Sequence, residues 1–136
     1  MSLIDIAGVT RHVPLPSGED LHILKGVDLT VDSGEHVSIV GRSGTGKSTL
    51  LNIIGMLDRP SEGSYTIDGQ DAVKLSEARR AHMRGESFGF VFQQFNIFQA
   101  RTAQENVEVP LLYSAGREFW RRHDIAAEML EHVGLG

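Results

Sequence analysis

The chain has 136 residues, 40% of them hydrophobic, with 13 basic and 18 acidic side chains and a formal net charge of −5. That length and apolar content fit one folded domain and exclude the disordered class, while the acidic balance excludes a general attraction to nucleic acid or anionic lipid. With no cysteine there is no disulfide, thiol catalysis or Cys-ligated zinc, and no apolar run approaches the ~20 residues that span a membrane.

The start, Met1-Ser2-Leu3-Ile4-Asp5, lacks a basic n-region, so no signal peptide is expected. Leu3 to Val9 predicts an edge strand. Arg11 to Asp20 holds Pro14, Pro16, Ser17 and Gly18 and predicts a loop or hairpin tip. Leu21 to Leu24 returns as a strand, and Gly26 to Val31 alternates with period two, as a half-buried antiparallel strand does. Asp32-Ser33-Gly34-Glu35 is a turn. His36-Val37-Ser38-Ile39-Val40 is β-branched and apolar and predicts a buried strand.

That strand runs into Gly41-Arg42-Ser43-Gly44-Thr45-Gly46-Lys47-Ser48-Thr49, a G-x-x-x-x-G-K-[ST] loop, and then into an apolar helix over Thr49 to Leu57. Strand, loop and helix in this order are the setting a phosphate-binding P-loop requires. A curled run of backbone N–H groups can hold polyphosphate where side chains are absent, so Gly41, Gly44 and Gly46 supply room and unusual φ/ψ. Lys47 is placed to reach the β- and γ-phosphates as a point charge, and Ser48 to offer its hydroxyl to Mg²⁺. The helix that follows adds partial positive charge from its N-terminal amides. ATP and Mg²⁺ are the expected ligands.

Asp58 to Gly63 is a turn, Ser64 to Ile67 a short strand, and Asp68-Gly69 a hairpin signal. Ser76 can cap a short polar helix reaching Arg84, on which Arg79, Arg80 and Arg84 read as a solvated face. Phe88 to Phe92 is an apolar strand running into Gln93-Gln94. Thr102-Ala103-Gln104-Glu105 is a capping box that starts a helix limited by Pro110. Arg117 to His132 predicts the last helix, with Phe119, His123, Ala126, Leu130 and Val133 on one stripe. His123 there reads as a packed or boundary residue. The six histidines show no metal-ligand spacing, so no protein-only metal site is expected.

Three stretches in order resemble the ATP-binding subunit of ABC transporters. They are Leu24 to Leu29 with Ser33-Gly34-Glu35; Ser61-Glu62-Gly63 with Ile67-Asp68-Gly69; and Phe88 to Gln93 with Thr102 to Val107. The last, with Val109 to Leu112, looks most like the subgroup serving lipoprotein-release and macrolide-type exporters. The resemblance implies an α/β fold: a P-loop core, an antiparallel β portion and the beginning of a helical subdomain. It divides the chain into 1–92, the β portion with the P-loop core, and 93–136, the Q-loop and the start of the helical subdomain. Gln93 becomes the Q-loop residue, a ligand of Mg²⁺ and a partner of the attacking water, with Gln94 as the alternative register. Phe95, Ile97 and Phe98 become a docking surface for a membrane permease. A second nucleotide-binding subunit and a cytoplasmic location at the inner membrane face are also implied.

Two departures stand out. The family stacks adenine on an aromatic ring near the end of the first strand, where this chain reads Arg11-His12-Val13; His12 is the candidate substitute. The L-S-G-G-Q signature, the apolar strand ending in Asp-Glu and the late histidine do not occur in the 136 residues. The chain therefore reads as the N-terminal half of such a subunit, whose P-loop strand lacks neighbours. A non-catalytic nucleotide- or permease-binding fragment and a non-transport P-loop enzyme are the alternatives.

Overall fold

β1 (Ser2–Pro14) and β2 (Asp20–Asp32) form one long antiparallel hairpin. The predicted first strand continues past Val9 to Pro14, and the loop shrinks to a tight turn closed by Leu15 N to Glu19 O at 2.8 Å. Pro14 pairs with Asp20 at the very end of the ladder, where a missing N–H costs little. β3 (Glu62–Ile67) adds to the other side of β1, and β4 (Gln70–Asp71) follows it, in the order β2-β1-β3-β4. β1 is thus an inner strand, which corrects the edge expectation. Ile4, Asp5 and Ile6 pair with β2 on one side and β3 on the other. Asp68 and Gly69 turn at φ 46° and 73°, the double left-handed geometry of a two-residue hairpin.

β2 carries a bulge that matters below. Arg11 pairs with Leu24 but His12 pairs with His22, so Ile23 is an extra residue without a partner of its own.

The structure, a computed structural model, describes residues 2–114 and 116–136, and the chain divides into two units, Met1–Phe90 and Val91–Gly136. In the first unit α1 (Lys47–Ile54) lays Leu50 and Ile53 on the sheet, where they join Ile6, Val9, Leu24, Tyr65 and Ile67 in the core. The Tyr65 hydroxyl donates to Ile54 O at 2.6 Å, and burial holds its pKa above the usual phenol range.

α1 ends in a Schellman turn: Met56 N bonds Ile53 O and Leu57 N bonds Asn52 O. The left-handed position usually given to glycine is occupied by Met56, at φ 58° and fully buried. α2 (Glu77–Ser87) is capped as predicted, Ser76 Oγ accepting from Arg79 N. Its arginines are not all solvated. Arg80 is buried and donates to the carbonyls of Met56 and Asp58, both at 2.8 Å, and more weakly to Ala72. Arg84 donates to Met56 O at 2.9 Å. Carbonyls left over at the end of α1 recruit these guanidinium groups, and burial pulls the Arg80 pKa down.

Two predicted strands do not form. His36 to Val40 and Phe88 to Phe92 carry no ladder among the described residues, and Val40 is 87% exposed. Both sequences are apolar enough for a buried strand, but a strand exists only where its backbone pairs in a ladder.

In the second unit α3 (Ala103–Glu108) starts at the full capping box: Glu105 N donates to Thr102 Oγ1 and Thr102 N to Glu105 Oε2. Pro110 ends it and opens a 3-10 turn, Pro110–Tyr113. The predicted last helix is split into α4 (Arg117–Trp120) and α5 (Arg122–His132) at Arg121, whose ψ of 10° breaks the helix. Ala126 on the predicted stripe is buried, whereas Val133 is exposed. His123 is a boundary residue, its Nδ1 2.7 Å from Oε1 of the buried Glu108. No helix among the described residues is long and apolar enough to cross a membrane.

Candidate phosphate-binding site

The loop begins where the extended segment ends and closes on the first turn of α1. Gly44 and Gly46 sit at φ 79° and 93°, which side chains rarely adopt. Gly46 is also the N-cap of α1, and a Cβ there would lie 2.8 Å from Leu24 Cδ2 and 3.0 Å from Ile23 O. The loop therefore rests directly on the bulged stretch of β2. Around Gly44 a Cβ would meet nothing within 4 Å, so this face of the loop is open.

Lys47 curls back over the loop, its Nζ donating to Gly41 O at 2.8 Å and Arg42 O at 2.6 Å. Thr45 Oγ1 donates to Arg42 O at 2.9 Å and braces the same turn. Those bonds hold the ammonium beside the loop mouth. The first helical bond is Leu50 N to Gly46 O, so the amides of Lys47, Ser48 and Thr49 have no partner within the helix. Ser48 is exposed in that first turn, and Arg42 and Ser43 are exposed in the loop. A cleft of about 360 Å³ opens here, bounded by Ile23, Ser43, Gly44, Lys47, Ser48 and Thr49. No acidic side chain lines it. Amides without a partner in the helix, a lysine and a helix N-terminus are chemistry that suits anionic oxygen.

The predicted residues are not all gathered there. Gly41 to Thr49 form one continuous cradle. Gln93 and Gln94 lie in an exposed bend of the second unit. His12 does not line the cleft: its ring faces His22 at 5.7 Å between centroids, and its Nε2 lies 4.0 Å from Asp20 Oδ2. Sequence reasoning missed Ile23 and Leu24 as the floor of the loop, because a bulge leaves no local mark in an alternating strand. Among the described residues no group of three or more His, Asp or Glu could hold a metal ion unaided. A cation here would need phosphate oxygens in addition to the Ser48 hydroxyl.

A family model described as ABC transporter matches residues 24–136. The macrolide export ATP-binding/permease protein MacB of Azoarcus sp. (strain BH72) is 48% identical over 135 residues, covering 98% of this chain and 20% of that protein. The pyoverdine export ATP-binding/permease protein PvdT of Pseudomonas aeruginosa is 45% identical over 133 residues, with the same coverages. This chain thus spans about a fifth of the length of these relatives. Among solved structures, the dimeric ATP-binding cassette MJ0796 bound to ADP and Pi superposes with a TM-score of 0.83 at 42% identity, over 94% of this chain and 56% of that one. Its dimeric structure solved separately superposes equally well. The cradle, the fold and these likenesses agree: the chain belongs to the ABC transporter family and forms part of its ATP-binding domain.

Proposed function

We propose that the cradle of Gly41, Arg42, Ser43, Gly44, Thr45, Gly46, Lys47, Ser48 and Thr49 binds the phosphates of ATP, and that in the whole protein this binding and the ensuing hydrolysis drive a membrane permease. The observation that carries the reading is the open, acid-free mouth of the loop, with Lys47 Nζ fixed beside it by the Gly41 and Arg42 carbonyls. The amides of Lys47, Ser48 and Thr49 would take phosphate oxygens. Lys47 would neutralise charge on the terminal phosphates. The exposed Ser48 hydroxyl suits an oxygen-seeking cation, which its donor chemistry fits. Mg²⁺, when bound, would offset phosphate charge there. Gln93 is a neutral amide on an exposed bend, and by likeness to the family its oxygen would serve Mg²⁺ and its N–H the attacking water.

The relatives' names couple ATP binding to export through a permease, and the structural neighbour is a dimer. By likeness, this chain would work against a permease at the cytoplasmic face of a membrane and pair with a second nucleotide-binding subunit. By the relatives' names, macrolide-type or pyoverdine-type export is the cargo reading that follows.

Titration of Mg·ATP tests the cradle. Lys47→Ala should weaken binding by roughly ten- to a hundredfold, the ~1.5–3 kcal/mol of a charge-assisted hydrogen bond. Gln93→Ala should leave binding within about twofold, because its role lies with water and cation rather than phosphate. Unchanged affinity in Lys47→Ala would remove the phosphate assignment.

A further inference from the structure

Gly55, the C-cap of α1, lacks a side chain for a reason other than its backbone. Its φ of −75° and ψ of 6° are open to residues with a side chain, and its N–H donates an ordinary helical bond to Leu51 O at 2.8 Å. Space is the constraint. A Cβ there would overlap Phe90 Cε1 and lie 2.7 Å from Phe90 Cζ. The edge of the Phe90 ring thus stands where a side chain would. Phe88, which packs against the core, lies alongside, with ring centroids 6.1 Å apart and planes at 22°. Phe90 closes the first unit, and the chain runs on toward Gln93.

This seat and the phosphate cradle share one element, α1. At its front the amides of Lys47, Ser48 and Thr49 have no partner within the helix; at its rear Gly55 carries the Phe90 ring. The helix has 8 residues, a length of about 12 Å. Its hydrogen bonds overlap, and a helix so short is marginal without support from outside. Leu50 and Ile53 anchor its inner face, and Arg80 and Arg84 hold the Met56 carbonyl beyond it. Whatever occupies one end therefore supports the turn on which the other end depends. The support is one of order and needs no displacement.

We propose that Phe90 seated on Gly55 and polyphosphate bound at Lys47 to Thr49 stabilise one another through α1, so that an occupied cradle holds the chain in place where it leaves the first unit. The inference rests on the phosphate reading above. Coupling of this kind is reciprocal: by the factor that phosphate tightens the seat, the seat tightens phosphate. Phe90 is then a positioning residue that touches no ligand. A merely structural Phe90 would change stability and leave the affinity of the folded chain alone.

The test is calorimetric titration of the chain with Mg·ATP and with inorganic tripolyphosphate. Phe90→Ala should weaken both by the same factor, about fivefold, the low end of typical coupling between sites. Gly55→Ala should do likewise, although alanine at a compatible φ and ψ ordinarily stabilises. Added to Phe90→Ala it should cost nothing further, because the ring it displaces is already gone. Phe90→Leu takes the place of Phe90→Ala should that variant fail to fold. Amide exchange reads the converse: saturating tripolyphosphate should slow Gly55 and Leu57, whose N–H groups donate to Leu51 O and Asn52 O at the rear of the helix. The link is overturned if Phe90→Ala leaves both affinities unchanged, if it weakens ATP but not tripolyphosphate, if the Gly55→Ala loss adds in full to that of Phe90→Ala, or if bound tripolyphosphate leaves the two amides as they were. If neither ligand binds the unsubstituted chain, the phosphate reading itself falls, and the link with it.

Discussion

Two sets of apolar segments carry the same kind of sequence and have opposite fates. The β1–β2–β3 ladder and the stretches His36 to Val40 and Phe88 to Phe92 are all apolar and β-branched or aromatic. Tyr65 and Ile6 are sealed in the core, while Val40 is 87% exposed and Val91 fully so. The difference is not propensity. β1 has a strand on each side; the other two stretches form no ladder among the described residues. Strand formation is a property of pairs, and apolar sequence names only the candidates.

The comparison can be broken at several points. Arg80→Ala should cost the most, about 3 kcal/mol in chemical denaturation, because it strips donors from buried carbonyls at the end of α1. A loss below ~1 kcal/mol would return Arg80 to the solvated face that the sequence implied. Tyr65→Phe removes one buried hydroxyl bond to Ile54 and should cost about 1 kcal/mol. Val40→Thr should change stability by less than ~0.5 kcal/mol, as befits an exposed side chain. Amide exchange sharpens the point: Ile4 to Ile6 should be strongly protected and Val37 to Val40 should exchange fast. Equal protection would mean that the second stretch finds a partner after all.

The smallest effect concerns pH. The Glu105 carboxyl is held below its ordinary 4.5 by the Thr102 backbone N–H of the capping box. A lowered folded pKa gives stability that is present above 4.5 and lost as pH falls through the lower folded value. The start of α3 should therefore fray first in mild acid, seen as a lower protection factor, relative to the intrinsic exchange rate at each pH, for the amide of Glu105. Glu105→Gln should flatten that dependence.

What could be read from sequence alone follows range of action. The Thr102–Glu105 box, the Ser76 cap and the Asp68-Gly69 turn are bonds between residues at most three apart, and all appear as expected. The shape of the Gly41 to Thr49 loop was legible for the same reason, since nine consecutive residues build it. The bulge at Ile23 was not, because it is defined by a strand that starts far upstream. Nor was the burial of Arg80, which answers carbonyls 22 and 24 residues away. His12 was singled out for its ring and its position; in the fold its ring lies 5.7 Å from that of His22.

The methionine at the end of α1 has a consequence for motion. With Met56 locked in the left-handed well, its side chain sealed and its carbonyl clasped by two arginines, the rear of the helix is a fixed hinge pin. If the front of that helix takes a polyphosphate, as proposed, it cannot slide backward to make room. Accommodation must come from swivelling at the glycines, which makes the grip a latch with one moving jaw.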